Sequence, residues 1–390
     1  MPSNHSVFDL AVIGLGAIGS STLYHLSKSG LKILGIDQFS PPHEMGSSHG
    51  ESRITRLAVG EGPAFVPFVK RSHQLWDEIH QLTGEKIMTT TGGLLLDTVE
   101  KGWSKHGAEG FFDRTVRLAQ EANITHEILL GDRVRDTFPQ FNTGPNVRGY
   151  FEPDAGFLRP ELAIKVQLHL AESNKAIIKT HTQVQRIAPL SGGGVLIQTN
   201  QGVFEATKVV ISAGAWIKDF IPAYAHGQFK ICRQVLHWLP LKDKAVRDSK
   251  AVFMWGYGSQ AEDFLYGFPS LDGKTIKVAS ESFVESQHAD TLDRNVTKVE
   301  QETFLEEKVA DKLNHVDRAV LKSKVCLYTV TPDANFVVDH MPDFEEVLVA
   351  STCSGHGFKH SAGIGEAIAE KMLNKKPTLS LDAFKWTQSY

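Results

Sequence analysis

An α/β fold of two interleaved domains is predicted by a βαβ unit near the start of the sequence, by a later antiparallel stretch and by the absence of a long linker between domains. An apolar strand at residues 8–13 leads into the glycine cluster GLGAIG, a segment of helical spacing that ends at Gly30, and a second apolar strand, LKILGID. Strand, helix and strand in this order form a βαβ unit, which predicts a parallel sheet covered by helices. From residue 233 to residue 277, short aromatic-rich runs separated by turn residues instead indicate a mostly antiparallel sheet.

The remaining segments supply further elements of this architecture. Helical spacing over residues 160–171 precedes the strand AIIKT, the hairpin GVLIQTNQGVFEA and the apolar strand KVVISAG. A polar helix is predicted over residues 296–313, and the strand that contains Cys326 follows it. The strand EVLVAS, the turn SGHG and a closing helix to Leu373 come last. No repeat or long linker separates the two domains, so we expect them to be interleaved along the chain.

Composition favours a small molecule as the ligand. The 390 residues are 41% hydrophobic and 22% charged, and the net charge of −4 is spread without a basic patch. This distribution argues against nucleic acid or a membrane surface as a partner. The start MPSNHS enters a strand directly, and no segment approaches the ~20 apolar residues of a membrane span. We therefore expect a cytoplasmic location.

The three cysteines show no paired spacing and no CxxC motif; they are Cys232, Cys326 and Cys353. This pattern argues against a disulfide framework or a structural zinc site, and no metal is predicted. Cys326 lies in an apolar strand before a tyrosine and a Thr-Pro turn. From the residues alone, it is either a small core residue or a reactive thiol.

The glycine cluster predicts a dinucleotide site. Gly14, Gly16 and Gly19 match the pattern G-x-G-x-x-G, in which the glycines permit a tight turn, backbone approach to a pyrophosphate and close helix packing. The helix that follows presents unbonded N–H groups and its positive dipole end to the phosphates. Asp37 ends the second strand, where a carboxylate accepts hydrogen bonds from a ribose. This pattern does not distinguish FAD from NAD.

A second cluster, GSSHGESRITR, follows the Asp37 strand and contains His49, Arg53 and Arg56. Arginines three residues apart share a helix face, and arginine grips carboxylates or phosphates through paired hydrogen bonds. A single arginine here would indicate a solvated surface. Two arginines and a histidine beside a nucleotide site indicate a functional cluster.

The motifs GLGAIG, GSSHGESRITR, YGFPS, CLYT and SGHGFK, in this order and at these separations, resemble the monomeric sarcosine oxidase and N-methyltryptophan oxidase family. The resemblance spans nearly the whole chain, and FLRPELAIK and AGAWIKD favour the N-methyltryptophan branch. It implies a glutathione-reductase-like FAD-binding Rossmann domain formed by residues 1–90, 152–222 and 330–390. A mostly antiparallel substrate domain is then formed by residues 91–151 and 223–329.

The family also implies a cofactor, FAD, held by a thioether from the cysteine of C-x-Y-T, here Cys326, to the methyl carbon at the 8-position of the flavin. KVVISAGAW resembles the second dinucleotide contact of such flavoproteins. The residues expected to contact FAD are Gly14, Gly16, Ala17, Ile18, Gly19, Asp37, Gln38, Ser48, Val184, Ala213, Gly214, Trp216, Cys326, Gly355, Gly357, Phe358 and Lys359.

The resemblance also assigns roles in substrate binding and catalysis to individual residues. Arg56 and Lys359 match the cations that bind the substrate carboxylate, and Lys277 matches the lysine that activates oxygen. The residues expected beside the flavin ring or the amine are His49, Arg53, Tyr266, Tyr328 and Gly355. Met254, in the aromatic run FMWGYG, is expected to line the substrate pocket and to alter it relative to the family. Where the family has a histidine four residues after the lysine, this chain has Glu281. A glutamate there adds negative charge, which favours a substrate with a second amine or with hydroxyl groups.

These observations predict an FAD-dependent amine oxidase that acts as a monomer. It removes hydride equivalents from the carbon next to a secondary amine, passes electrons to O2 and releases H2O2, and the imine product hydrolyses. The substrate is an N-methyl amino acid such as sarcosine or N-methyltryptophan. The alternative within the family is a cyclic or sugar-modified amino acid, such as pipecolate or a fructosyl amino acid. Alternatives from other classes are an NAD-dependent dehydrogenase and a flavin-binding module without activity.

Overall fold

A computed structural model describes residues 6–98, 103, 110–242 and 251–386. The helices are α1 (Ala17–Ser27), α2 (Val66–Thr83), α3 (Phe111–Glu121), α4 (Asp132–Thr137), α5 (Pro160–Ser173), α6 (Lys298–Phe304) and α7 (Ser361–Met372). The strands are β1 (Ser6–Ile13), β2 (Ile33–Ile36), β3 (Arg53–Thr55), β4 (Met88–Thr90), β5 (Gly93–Asp97), β6 (Glu127–Leu130), β7 (Arg148–Glu152), β8 (Gly156–Leu158), β9 (Ile177–Lys179), β10 (Val184–Pro189), β11 (Val195–Thr199), β12 (Gly202–Ile211), β13 (Lys230–Pro240), β14 (Val252–Gly256), β15 (Phe264–Gly267), β16 (Thr275–Ala279), β17 (Glu285–Ser286), β18 (Lys322–Val330), β19 (Val337–Met341) and β20 (Phe344–Ser351).

The first sheet has parallel strands at its centre. In the described residues it contains eight strands, of which β9, β2, β1, β12 and β20 lie side by side and run parallel. The β10–β11 hairpin extends the sheet from β12, and β19 pairs antiparallel with β20. The predicted βαβ unit, the predicted hairpin, which is β11–β12, and the strands KVVISAG and EVLVAS are confirmed.

Close packing of helices covers this sheet. Helix α1 packs against both α5 and α7. Gly365 of α7 allows this approach, because a Cβ at that position would lie 2.3 Å from Ser21 Oγ of α1. The α1 side chains are buried at nearly every position, since the helix lies between the sheet and its two neighbours.

The second sheet is mostly antiparallel, as its alternating aromatic runs predict. In the described ranges its nine strands run in the order β17, β13, β16, β15, β14, β5, β7, β6, with β18 paired along β13. Its strands come from two stretches of chain that are separated by strands of the first sheet. We retain the two-domain division as an interpretation of this arrangement. Strands β3, β8 and β4 form a third, smaller sheet.

The helix predicted over residues 296–313 is wrong in its length. A capping box between Thr297 and Glu300 begins α6, and a π-helical turn, Leu305–Val309, ends the helical segment. The chain then turns, and Leu313 forms a β-bridge with Phe141, a contact distant in sequence. Among the helices of the described ranges, none combines the length and hydropathy that membrane crossing requires.

Candidate active site

The glycine turn after β1 lies at one end of a cavity. Gly14 has φ +86°, and a Cβ there would lie 2.6 Å from the Ser212 carbonyl oxygen, so the turn requires glycine. A Cβ at Gly19 would lie 1.8 Å from the Gly14 carbonyl oxygen, which explains the close helix packing. At Gly16 a Cβ would meet, among the described residues, only Ser48 Oγ at 3.8 Å. The backbone at Gly16 is therefore open to a ligand.

Asp37 holds the same turn from the end of β2. Its carboxylate, 5% exposed, accepts hydrogen bonds of 2.8 Å from the backbone N–H groups of Leu15 and Phe39. The N-terminus of α1 begins at the open position, with Gly16 as its N-cap. An open backbone, a helix N-terminus and a strand-end carboxylate fit a pyrophosphate and an adjoining ribose.

The cavity brings together most of the residues predicted from the sequence. Those expected to contact the cofactor and found in its lining are Gly14, Gly16, Ala17, Ile18, Asp37, Gln38, Ser48, Val184, Ala213, Gly214, Trp216, Cys326, Gly355, Gly357, Phe358 and Lys359. The lining also contains the substrate-side residues Arg53, Arg56, Met254, Tyr266, Glu281 and Tyr328. Gly19, His49 and Lys277 are not part of the lining.

Cys326 contributes a buried thiol to the cavity wall. It lies on β18 opposite Gln234 of β13 and is 1% exposed. Arg53 Nη2 lies 3.3 Å from its Sγ and also donates to the Ser47 carbonyl oxygen at 2.6 Å. Burial opposes the charge of Arg53, but Cys326 and Tyr266 raise its pKa above the ordinary value. A permanent cation beside the sulfur stabilises negative charge that develops there.

Two tyrosines and a glutamate lie near this thiol. Tyr328 follows Cys326 by two residues on β18, so both side chains point to one face of the strand. Tyr266 on β15 hydrogen-bonds to Tyr328. Burial raises the pKa of both hydroxyls, and the carboxylate of Glu281 raises them further. Both hydroxyls therefore stay protonated and act as hydrogen-bond donors.

Glu281 lines the cavity, and two hydrogen bonds between the Gln234 side chain and the backbone of Ser282 hold the segment next to it. Its side chain is 5% exposed. The Ser282 N–H donates to Gln234 Oε1 at 3.0 Å, and Gln234 Nε2 donates in turn to the Ser282 carbonyl oxygen. This clamp fixes the segment after β16 and with it the position of the Glu281 backbone.

Arg56 and Lys359 supply buried positive charge to the same cavity. Arg56 Nη2 donates to Glu61 Oε2 at 2.7 Å, with both side chains 5% exposed, and Nη1 donates to the Ala58 carbonyl oxygen. These bonds use two of the five N–H groups of the guanidinium. Lys359, in the 3₁₀ turn Phe358–His360 before α7, donates to the His356 carbonyl oxygen at 2.7 Å.

Lys277 and His49 are buried outside the lining. Lys277 Nζ donates to the carbonyl oxygens of Gly50 at 2.6 Å and Ser52 at 2.7 Å. It also lies 4.0 Å from the ring centroid of Phe268, which does line the cavity. Burial, followed by Arg53, lowers the Lys277 pKa well below its ordinary 10.5.

His49 is buried beside the charge of Arg53 and is expected to be a neutral imidazole near pH 7. Burial, followed by the charge of Arg53, lowers its pKa to about 3. Neither ring nitrogen has a hydrogen-bond partner among the residues that the structure describes, and the residue is 1% exposed. The cluster GSSHGESRITR thus contributes two cations to the cavity lining. The helix face expected for its arginines is wrong, because Arg53 begins β3 and Arg56 follows the end of that strand.

Several residues that hydrogen-bond to the site were not predicted from the sequence. They are Glu61, which pairs with Arg56; Gln234, which clamps Ser282; Glu152, which accepts from the N–H groups of Leu57 and Ala58; and Glu161, which accepts from those of Gly50 and Glu51. Except for Glu61, each acts on a segment distant in sequence. A local pattern therefore gives no signal for them.

Comparison with known proteins decides the family. The chain matches the FAD dependent oxidoreductase (DAO) family model over residues 9–371. The chain belongs to this family. It is 32% identical over 379 residues to a monomeric sarcosine oxidase of Bacillus sp. (strain B-0618), covering 97% of this chain and 95% of that protein. It is also 32% identical over 397 residues to an N-methyl-L-tryptophan oxidase of Yersinia pestis (strain Pestoides F), covering 97% and 98%.

Solved structures of other oxidases share the fold of this FAD-dependent oxidoreductase. NikD, an unusual amino acid oxidase essential for nikkomycin biosynthesis, superposes with a TM-score of 0.84 at 16% identity, over 99% of this chain and 98% of that chain. Glycine oxidase from Geobacillus kaustophilus gives a TM-score of 0.77 at 18% identity, over 99% and 100%. The predicted FAD-binding α/β fold is confirmed. Family membership also decides for FAD over NAD, which the glycine pattern left open.

Proposed function

We propose that this FAD-dependent oxidoreductase oxidises a secondary amine that bears a carboxylate, with O2 as electron acceptor and H2O2 as product. The observation that supports it is the placement of two buried cations, Arg56 and Lys359, in the same cavity as Cys326 and the FAD-binding turn. N-methyl amino acids such as sarcosine and N-methyltryptophan have the required groups, and relatives with those names align with nearly the whole chain.

In this proposal, different side chains bind the carboxylate and the amine of the substrate. Arg56 and Lys359 hold the carboxylate, since paired cations offset the cost of burying an anion. Tyr266, Tyr328 and Met254 line the space for the amine, and Gly355, with φ +76°, shapes the turn before α7. Bound FAD supplies the electron sink that accepts hydride equivalents from the carbon beside the nitrogen. The imine is then hydrolysed by water to a primary amino acid and formaldehyde.

Cys326 is the residue that we propose to bond FAD. Attachment joins Sγ to the methyl carbon at the 8-position, with loss of one thiol proton and one methyl proton. The two electrons released would be taken up by O2, the acceptor of the proposed activity, so the balance would close with H2O2. Arg53 Nη2 lies 3.3 Å from Sγ and places a positive charge beside the sulfur that would form this bond. We also propose a monomeric, cytoplasmic protein.

Anaerobic titration of the purified holoenzyme tests the proposed activity. N-methyl-L-tryptophan and sarcosine are added separately while the visible absorption of the flavin is recorded. We expect at least one of them to bleach the flavin, and readmitted O2 to restore it with one H2O2 and one formaldehyde per amine. L-Tryptophan and glycine are the controls without the methyl group. A flavin spectrum that no amine bleaches would instead identify a binding module without activity.

Glu281 supports a second candidate, in which the substrate has an additional amine or hydroxyl groups, as in sugar-modified amino acids. Its carboxylate lines the cavity beside Tyr266 and Tyr328. We expect Glu281→Gln to lower kcat/KM for Nα-methyl-L-lysine about tenfold, because a buried ion pair is lost. Nα-methyl-L-norleucine, which has nearly the same shape without the charge, should be unaffected.

Steady-state peroxide assays with both substrates measure this difference. Pipecolate and a fructosyl amino acid are included to compare the cyclic and sugar-modified alternatives. An equal loss of kcat/KM for the lysine and norleucine derivatives would contradict a cation subsite at Glu281.

A further inference from the structure

A buried carboxylate lies directly behind Arg56. Glu152 ends β7 and is 1% exposed. Its Oε1 accepts a hydrogen bond of 2.6 Å from the Leu57 N–H, and its Oε2 accepts bonds of 3.1 Å from the Ala58 N–H and 2.8 Å from the Tyr150 hydroxyl. Burial and then the charge of Glu152 raise the Tyr150 pKa, so this hydroxyl remains a donor.

These bonds fix the residues that direct the Arg56 side chain. Leu57 and Ala58 follow the end of β3 in irregular backbone, where their N–H groups have no ladder to join. A buried N–H group without a partner is costly, so the Glu152 carboxylate determines the conformation of this turn. The Ala58 carbonyl oxygen in turn accepts from Arg56 Nη1. Glu152 therefore affects the position of the Arg56 guanidinium through the backbone turn at Leu57 and Ala58.

Glu152 itself is separated from the FAD cavity. A second, small cavity is lined by Arg56 and Met254 together with Tyr150 and Glu152. Arg56 and Met254 also line the large cavity, whereas Tyr150 and Glu152 do not. The carboxylate is thus on the far side of the wall that Arg56 forms.

We propose that Glu152 is the positioning residue of the substrate carboxylate site. It holds the turn at residues 56–58 so that the remaining N–H groups of Arg56 meet the substrate carboxylate, while Glu61 restrains one edge of the guanidinium. The inference rests on the proposed function, because it takes Arg56 as the carboxylate ligand. Loss of the Glu152 carboxylate should therefore weaken binding of the substrate carboxylate and leave the rate of amine oxidation unchanged.

The test compares a substrate with and without its carboxylate. N-methyl-L-tryptophan and N-methyltryptamine are assayed with the wild type and with Glu152→Gln, Arg56→Met and Asp97→Asn. Asp97 is a matched control, since it is a 2% exposed carboxylate on β5, the strand that pairs with β7, and it bonds to Arg148. We expect Glu152→Gln to raise KM for N-methyl-L-tryptophan about tenfold, with kcat within about twofold. Its KM for N-methyltryptamine should not change.

The controls separate positioning from stability. Arg56→Met should show the same split more strongly, and Asp97→Asn should show none. Tyr150→Phe removes one hydrogen bond to Glu152 but leaves its carboxylate in place. It should raise KM for N-methyl-L-tryptophan by a smaller factor than Glu152→Gln does. This variant replaces Glu152→Gln in the test if Glu152→Gln does not fold. A rise in KM of equal size for both substrates, or no rise, overturns the positioning role.

A binding assay distinguishes failure of this inference from failure of the proposed function. If the wild type oxidises neither of these amines, nor sarcosine, pipecolate or the fructosyl amino acid, the proposed function fails. Binding of indole-3-propionate, followed through the visible absorption of the flavin, then tests the carboxylate site alone. Weaker binding to Glu152→Gln than to Asp97→Asn supports the positioning role, and equal binding overturns it.

Discussion

Replacing Lys277 with methionine is expected to slow reoxidation of the reduced flavin by O2 about 10²- to 10³-fold at a pH where the Lys277 ammonium predominates. Anaerobic reduction by the amine should stay within about twofold of the wild type. Oxygen is uncharged until its first electron arrives, so a nearby ammonium stabilises the superoxide-like transition state far more than the ground state. Lys277 lies outside the cavity lining, but its Nζ is 4.0 Å from the ring centroid of Phe268, which lines the cavity, and a charge in a water-poor site acts beyond the groups that it contacts.

The pH dependence of reoxidation follows from the environment of Lys277. Burial and Arg53 lower its pKa well below the ordinary 10.5, so the ammonium predominates only below this lowered pKa. Reoxidation should therefore be fast at low pH and fall as pH rises through that pKa, at a lower pH than an exposed lysine would titrate. The Lys277→Met variant should lack this fall.

Stopped-flow measurement of both half-reactions across pH provides the test. Lys322 is a matched control, because its ammonium lies 4.3 Å from the Trp238 ring in the same region but is 45% exposed. Solvent screens such a charge, so Lys322→Met should reoxidise at nearly the wild-type rate. Normal reoxidation by Lys277→Met would place the oxygen site elsewhere and leave Lys277 as a buried support of the Gly50–Ser52 backbone.

Replacing Cys326 with serine is expected to abolish covalent attachment of the flavin. After acid precipitation, the wild type should keep its yellow colour with the polypeptide, whereas Cys326→Ser should release all of it to the supernatant. A serine hydroxyl is a far weaker nucleophile than a thiolate, and the Arg53 contact cannot compensate for the difference. The fraction of flavin retained should change from nearly all to none.

The other two cysteines are the controls for this experiment. Cys232 is buried on β13, and Cys353 lines the cavity near Cys326. Burial raises the pKa of both thiols, which makes them poor nucleophiles. Serine at either position should leave attachment intact. Flavin that separates entirely from wild-type protein matured with ample FAD would contradict a bond to Cys326.

Much of the fold could be predicted because its determinants are local. Apolar runs of four to eight residues specify β1, β2, β12 and β20, and the glycine turn specifies how β1 meets α1. The start of α6 was equally readable, since Thr297 and Glu300 form its capping box within four residues. Its end was not, because the residues that follow it pair with a distant segment, as the bridge between Leu313 and Phe141 shows.

The site residues also differ in whether a local sequence pattern could predict them. Motifs that are compact in sequence, such as GLGAIG and GSSHGESRITR, indicated a nucleotide site and a cationic cluster without any knowledge of the fold. The roles expected of Cys326, Tyr266 and Lys359 required the resemblance to a family, since an isolated cysteine, tyrosine or lysine has a structural explanation that is equally consistent with its neighbours.

The sequence by itself determined the family of this protein, its FAD-binding turn and the residue types available to its active site. Only the tertiary structure decided that Glu152 holds the turn beside Arg56, that Glu61 pairs with the guanidinium, and that Lys277 is buried against two carbonyl oxygens. The physical reason is that hydrogen bonding and desolvation depend on which groups meet in space. Glu152 and Leu57 are 95 residues apart along the chain, yet their atoms are 2.6 Å apart in the folded protein.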